Sequence, residues 1–219
     1  MRRVTLDLET TGLNPLEGHK IIEIGCVELI NNFPTGNTWQ TYINPKRNIP
    51  QEAYEVHGLT EEFLADKPFF QDTVDKFLNF IKDSDLIIHN AKFDMKFLNY
   101  ELEANKLNPL NNHKVIDTID IAKNMFPGQS ISLDSLCKKY KIDIEKRKFH
   151  GALLDAELLA EVYLEMQGGR QQGFDLKNKY INKDEEIEME KIQYSKKVYL
   201  LTKEEIEFNK KVMKSINNN

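Results

Sequence analysis

Apolar and polar residues alternate from Val4 to Glu9, and this pattern predicts a β-strand with one set of side chains on each face. Asp7 and Glu9 then share a face, with their side chains about 6.5–7 Å apart. Thr10-Thr11-Gly12 ends the strand with turn-forming residues and leaves the two acids at an open edge. An isolated Asp-x-Glu pair is most often a solvated strand face. The pair therefore gains meaning only if other acids converge on it.

The rest of the first 169 residues predicts an α/β domain. Two further strands, residues 21–30 and 38–43, follow the first in an antiparallel meander, with a turn at Asn31-Asn32 and Pro34-Thr35-Gly36. Beyond residue 50 the apolar spacing becomes helical and is interrupted by short strands near residues 86–88 and 115–116. The predicted helices cover residues 51–57, a short segment capped by Thr60, and residues 72–81, 91–105, 118–126, 132–140 and 151–167.

Two of these helices carry an acid on the apolar stripe that should face the sheet. Asn90 is the predicted N-cap of the helix that holds Asp94, and Asp94 shares its face with Phe97 and Leu98. Asp155 lies in the same way on the stripe of the last predicted helix. A carboxylate on such a face is costly to bury unless something pairs with it. The alternative explanation is an early-turn acid that the helix dipole favours.

His150 precedes Asp155 by five residues, which on a helix would separate the two by about 140°. We therefore expect His150 in the loop or first turn before the helix, from where it can reach over the site. A histidine of this kind is otherwise a structural hydrogen-bonding residue.

Charge and cysteine content narrow the class of protein. The net charge is -5 over 219 residues, which argues against a strongly basic nucleic-acid-binding protein but not against an enzyme whose acids hold metal ions. Cys26 and Cys137 are too few for a disulfide framework, so we expect reduced core thiols in a cytoplasmic protein. No apolar run approaches the length of a membrane span.

The character of the sequence changes after residue 169. Residues 170–192 are predominantly charged or polar and predict a flexible linker. Val198-Tyr199-Leu200-Leu201 and a short capped helix after it have little else to cover them. We therefore expect residues 193–219 to be a docking segment that folds on a partner.

One strand and two helices supply four acids, Asp7, Glu9, Asp94 and Asp155. Each acid lies on the face of its own element that packs toward the sheet. Four half-buried carboxylates are best explained by bound cations, and hard oxygen ligands suit Mg²⁺ or Mn²⁺. Two such ions about 3.5–4 Å apart are the usual machinery of phosphodiester cleavage. His150 is the candidate general base. Zinc is not expected, because no Cys or His pair has ligand spacing.

Three segments resemble the exonuclease motifs of the DEDD superfamily in its histidine-containing branch: LDLETTG at residues 6–12, HNAKFD at 89–94 and HGALLDA at 150–156. More closely, residues 2–169 are similar to the proofreading exonucleases of bacterial replicative DNA polymerases, through segments such as GHKIIEIG at 18–25, VHG at 56–58 and MFPG at 125–128. The resemblance implies a ribonuclease H-like fold, a mixed five-stranded sheet flanked by helices, followed by a flexible C-terminal tail.

The resemblance also assigns roles to residues. It implies that Asp7, Glu9 and Asp155 bind metal directly, that Asp94 completes a second site, and that His150 is the general base. It further implies that the terminal nucleotide contacts a set made of Asp7, Glu9, Thr10, Thr11, Glu52, His57, Asn90 and Asp155. Glu52 and His57 rest on the resemblance alone, since their local pattern indicates only a short helix and its end.

The implied activity is removal of mispaired 3′-terminal nucleotides from DNA as nucleoside monophosphates, with two divalent cations. The implied partners are the DNA 3′ terminus, the polymerase (alpha) subunit through residues 193–219, and a sliding clamp through the loose motif Gln171–Leu176. Two other functions stay open at this point: an exoribonuclease that trims RNA 3′ ends, and a non-catalytic tether that stabilises a polymerase.

Overall fold

A mixed five-stranded sheet forms the centre of the domain that the structure describes. The computed structural model describes residues 1–144 and 149–169. The strands lie in the order β3-β2-β1-β4-β5, with β1 in the middle. Their bounds are β1 Arg2–Thr10, β2 Ile21–Ile30, β3 Phe33–Tyr42, β4 Asp85–Ile88 and β5 Val115–Asp117. The β1–β2 and β2–β3 pairs are antiparallel, and the β1–β4 and β4–β5 pairs are parallel. The predicted ribonuclease H-like topology is thereby confirmed.

Helices flank this sheet. Their bounds are α1 Gln51–His57, α2 Glu61–Leu64, α3 Phe70–Ile81, α4 Ala91–Ala104, α5 Thr118–Met125, α6 Leu133–Tyr140 and α7 Ala152–Met166, with a 3₁₀ turn at Pro15–Glu17. The sequence placed these helices within about two residues at each end. Thr60 Oγ1 accepts the predicted capping hydrogen bond from the Phe63 N–H, at 3.1 Å.

The alternation of β1 sends its side chains into two different cores. Val4, Leu6 and Leu8 pack with the apolar stripes of α3 and α4. Thr5 faces the other way and is fully buried, and its hydroxyl donates to the Ala156 carbonyl of α7 at 2.8 Å. Because side chains alternate along a strand, Asp7 and Glu9 lie on the face that α7 covers. The charged face of β1 is therefore turned toward a helix that itself carries an acid.

The third strand differs from the expectation. It begins at Phe33, so Pro34 and Gly36 lie inside β3 and not in a turn. The turn consists of Asn31 and Asn32, whose φ angles of 52° and 73° suit a two-residue hairpin. Pro34 is tolerated because β3 is an edge strand, and the β2–β3 pairing shifts register between Val27 and Leu29.

Cys26 and Cys137 are buried thiols, as expected. Within the described ranges, no helix has the length and apolar character needed to cross a bilayer. The predicted linker 170–192, docking segment 193–219 and clamp motif Gln171–Leu176 lie outside the described residues.

Candidate active site

Three of the singled-out side chains converge at the end of β1. Glu9, His150 and Asp155 each offer a ligand atom, and these atoms all lie within 4.8 Å of one another. Glu9 and Asp155 are buried, whereas His150 is exposed and lies in the loop before α7, as predicted. His150 Nδ1 is 3.1 Å from Asp155 Oδ2. Two buried carboxylates and an imidazole thus form one cluster, although Glu9 and Asp155 are 146 positions apart in the sequence.

The position of α7 depends on a glycine in β2. The β1–β2 register pairs Asp7 with Gly25. A Cβ atom at Gly25 would lie 2.2 Å from the backbone carbonyl carbon of Ala152, the first residue of α7. Only glycine therefore lets the start of α7 approach β2 this closely. This close approach brings Asp155, in the first turn of α7, to the charged face of β1.

Glu23 is a fifth acid at this site and was not predicted from the sequence. It pairs with Glu9 across the β1–β2 ladder and is 2% exposed. Its carboxylate accepts hydrogen bonds from Gln40 and from the backbone N–H groups of Ala152 and Leu153. Burial raises the Glu23 pKa, and the nearby Asp155 charge adds to the rise. Glu23 therefore holds the beginning of α7. No signal in the sequence indicated it, because the contact depends on the register and on the docking of α7.

Asp94 reaches β1 from the opposite side. Its side chain is 3% exposed, and its carboxylate accepts a hydrogen bond from the backbone N–H of Leu8, the residue between Asp7 and Glu9. Burial raises the pKa of Asp94 well above its usual range, and the charge of Asp117 raises it further. The predicted inward position of Asp94 is confirmed.

The start of α4 is held by Asp117, not by the predicted cap residue Asn90. Asn90 has a left-handed backbone, φ 71°, and its side chain makes no capping hydrogen bond. Instead, the Asp117 carboxylate accepts from the N–H groups of Asn90 at 3.1 Å, Ala91 at 2.9 Å and Ile119 at 2.9 Å. One carboxylate therefore caps α4 and α5 together. An Asp directly before a predicted helix was the available signal.

A cavity of about 630 Å³ adjoins the cluster and shares Glu9 with it. This volume is in the range of small-molecule sites. Among the predicted nucleotide contacts, the cavity is lined by Glu9, Thr10, Thr11, Glu52 and His57. Asp7, Asn90 and Asp155 are not part of its lining. Helix α1 supplies one wall and the Thr10–Gly12 turn supplies another.

His57 is a buried, neutral hydrogen-bond donor in this wall. Its Nδ1 accepts from the Leu59 N–H at 2.9 Å, so the ring proton resides on Nε2. In the described part of the chain, Nε2 has no hydrogen-bond partner. Burial lowers the His57 pKa to about 4, which keeps the ring neutral near pH 7. His57 thus lines the cavity as a neutral ring whose Nε2 is itself buried.

The Thr10–Gly12 turn is held in place by its neighbours. Thr11 Oγ1 lies 3.3 Å from His19 Nδ1 and accepts from the Lys20 N–H at 3.0 Å. A Cβ atom at Gly12 would lie 2.3 Å from the His19 ring. The close approach of His19 therefore requires glycine at this point and fixes the lip of the cavity.

Asp7 and Asp94 lie outside the 4.8 Å cluster. Asp7 is half-buried on the same face of β1 as Glu9, and Asp94 is fixed to the backbone between them. All five acid and histidine residues of the predicted site are thus placed around the end of β1. Their assignment as metal ligands and base stays a prediction.

The comparisons with known proteins agree with this geometry. The family described as Exonuclease matches residues 4–163. DNA polymerase III subunit epsilon of Rickettsia felis is 46% identical over 222 residues, covering 99% of this chain and 97% of the relative. The subunit of the same name from Escherichia coli K12 is 50% identical over 176 residues, covering 77% and 72%.

Solved structures give the same result. Exonuclease X in complex with 5′-overhanging duplex DNA is 25% identical, with a TM-score of 0.61 over 76% of this chain and 91% of that one. The nuclease domain of 3′hExo, a DEDDh family member bound to rAMP, shares the fold at 20% identity, with a TM-score of 0.66 and the same coverage. The chain belongs to the Exonuclease family and, within it, to the DNA polymerase III epsilon subunits.

Proposed function

We propose that this chain is a proofreading 3′-to-5′ exonuclease that removes mispaired terminal nucleotides from DNA during replication in the cytoplasm, releasing nucleoside monophosphates. The observation that carries the proposal is the shared residue Glu9, which belongs both to the acid–histidine cluster and to the lining of a 630 Å³ cavity. A nucleotide held in that cavity would lie beside the cluster.

The donor set fits divalent cations. Glu9 and Asp155 are buried carboxylates that converge, and Asp94 has a raised pKa because it is buried. A cation would relieve the cost of keeping these groups ionised. Asp7, Glu9, Asp94 and Asp155 would hold two ions, Mg²⁺ or Mn²⁺. When bound, such ions supply Lewis-acid activation of a water and neutralise charge on the leaving oxygen.

The protein supplies proton transfer and orientation. His150 takes the proton of the attacking water, and the contact between its Nδ1 and Asp155 orients the ring. The neutral His57 and Glu52 lie on the same wall of the cavity and contact the terminal nucleotide. Because unpairing a mismatched end costs less than unpairing a matched one, frayed 3′ termini reach the cavity more often.

Replacing Asp7 or Asp155 by Ala should abolish degradation of 3′-labelled single-stranded DNA while the circular dichroism spectrum stays that of the wild type. Undiminished activity in either variant would overturn the two-metal proposal. The RNA-trimming alternative is tested with DNA and RNA oligonucleotides of the same sequence under the same Mg²⁺ concentration. Faster degradation of RNA would favour that alternative.

We further propose that residues 193–219 bind the alpha subunit of the polymerase and that Gln171–Leu176 contacts a sliding clamp. Support comes from the match to Rickettsia felis subunit epsilon, which extends over 99% of this chain and so includes the tail. Co-purification with the polymerase subunit should succeed for the full chain and fail when residues 177–219 are removed. Retention of the truncated chain would contradict the docking role.

A further inference from the structure

We propose that Gly58 and Phe149 are positioning residues for His150, so that helix α1, a wall of the nucleotide cavity, fixes where the general base lies. This inference rests on the proposed function of His150. The connection joins helix α1, which borders the nucleotide cavity, to His150, the proposed general base.

The first contact is between backbones. The His150 N–H donates to the Val56 carbonyl oxygen at 3.0 Å. Val56 is in α1 and lines the cavity, next to His57. The catalytic side chain is therefore attached by its own backbone to the segment that borders the nucleotide. A shift of α1 would move His150 with it.

The second contact is between a ring and a glycine. A Cβ atom at Gly58 would lie 2.9 Å from Cγ of Phe149, so the ring rests directly on the Gly58 backbone. Gly58 ends α1 in a left-handed conformation, with a φ angle of +68°. Its N–H donates to the Tyr54 carbonyl. Phe149 is 52% exposed, so only one side of the ring is covered. The two contacts join residues 149–150 to both ends of the same turn, 56–58.

This arrangement has a consequence for the reaction. A general base must lie within about 2.6–3.2 Å of the proton it takes, so small displacements are costly. His150 is exposed and precedes α7, and the contact with Asp155 fixes its ring but not its backbone. The Val56 hydrogen bond and the Phe149 ring supply the backbone position. Their loss should lower kcat and leave the binding of the nucleotide nearly unchanged.

The test uses Gly58→Ala and Phe149→Ala in the full chain, assayed on single-stranded DNA with Mg²⁺. We expect kcat to fall about 10-fold in each variant, the KM for DNA to stay within about 2-fold, and Phe149→Leu to regain most of the activity. Gly128→Ala is the matched control, because Gly128 has a similar φ of +75° but nothing within 4 Å of its Cβ position. A Gly128→Ala loss equal to that of Gly58→Ala would overturn the role of the ring contact. Phe149→Ala leaves the Gly58 backbone intact and keeps the test valid if Gly58→Ala does not fold.

A double-mutant cycle separates positioning of His150 from other effects. In a His150→Ala background, measured under single-turnover conditions, Phe149→Ala should cause no further loss. An undiminished 10-fold loss in that background would show that Phe149 acts elsewhere, and would overturn this inference while leaving His150 as the base. Wild-type activity of His150→Ala alone would instead overturn the base assignment in the proposed function.

Discussion

The two ends of strand β1 use acidic residues in opposite ways. At its start, Arg2 Nε lies 2.6 Å from Glu28 Oε1, and Arg3 Nε lies 3.7 Å from Asp85 Oδ2, so each acid lies beside a guanidinium of opposite charge. At its end, Glu9 and Asp155 converge on each other and on His150. The strand is continuous, yet one end pairs acids with arginines and the other holds acids close together.

The pKa values of the acids also differ between the two ends: the one at the start is lowered and the one at the site is raised. The hydrogen bond from Arg2 lowers the pKa of Glu28. Burial raises the pKa of Asp94, which is attached to the backbone of Leu8 at the other end. An acid beside arginine is stabilised in its charged form, whereas a buried acid among acids is not. Folding the site end of β1 therefore costs free energy, which a bound cation would offset.

The largest difference should appear when one Glu from each end loses its charge. Glu9→Gln should lower kcat on single-stranded DNA by about 10³-fold, because it removes a proposed metal ligand and a cavity residue. Glu28→Gln should leave kcat within about 2-fold and lower stability by no more than about 1 kcal/mol, as for a surface ion pair. Initial rates and urea unfolding measure the two effects. Equal activity losses in both variants would erase the contrast between the ends.

Metal ions should stabilise the folded protein through the acids at the site end of β1 and not through Glu28 at the other end. At 100 times its dissociation constant, Mg²⁺ or Mn²⁺ should add about 2.7 kcal/mol to the folded state. Thermal unfolding with EDTA and then with metal should show this as a higher Tm in the wild type and in Glu28→Gln. Asp155→Asn should show little shift. A full metal shift in Asp155→Asn would exclude Asp155 as a ligand.

Glu23 combines features of both ends, because it lies at the site end but contacts backbone N–H groups of α7 as a structural acid would. Glu23→Ala should lower kcat about 10-fold and weaken activation by Mg²⁺, since Asp155 would lose its fixed position. Glu23→Gln keeps an acceptor for the helix and should retain most of the activity. Titration of the rate with Mg²⁺ measures both. If Gln were as harmful as Ala, the charge of Glu23 and not its capping contact would matter.

Asp94→Asn should abolish activity and yet raise the Tm of the metal-free protein by a few degrees, where 1 kcal/mol corresponds to about 2–4 °C. The raised pKa means that folded Asp94 holds its proton more tightly than the unfolded chain does. Its stabilising contribution is thus present below a pH of about 3.9 and is lost as the pH rises through the folded pKa.

Thermal unfolding in EDTA from pH 5 to pH 8 measures this effect. The difference between Asp94→Asn and the wild type should grow with pH. Glu28→Gln is the control with the opposite sign, since a lowered pKa stabilises above the unfolded value. A lower Tm for Asp94→Asn at pH 8 would contradict the account of the site end as a destabilised region.

The fold was predictable where one periodicity ran over a whole element. The period of two in β1 and the helical stripes of α4 and α7 placed Asp7, Glu9, Asp94 and Asp155 on inward faces. The start of β3 was not predictable from Pro34 and Gly36, because both residues signal a turn and only their place on an edge strand tolerates them. The cap of α4 was missed for a similar reason, since Asp117 lies on another element.

The pattern of residues along the chain is enough to show which residues carry charge, on which face of its own element each lies, and where the motifs at residues 6–12, 89–94 and 150–156 are. Periodicity is a local property, so it needs no knowledge of neighbouring elements. The folded chain was needed to show that Gly25 admits α7, that Glu23 holds its first turn, and that Phe149 rests on Gly58. These contacts depend on strand register and helix docking, which join residues far apart in the chain and leave no periodic trace in it.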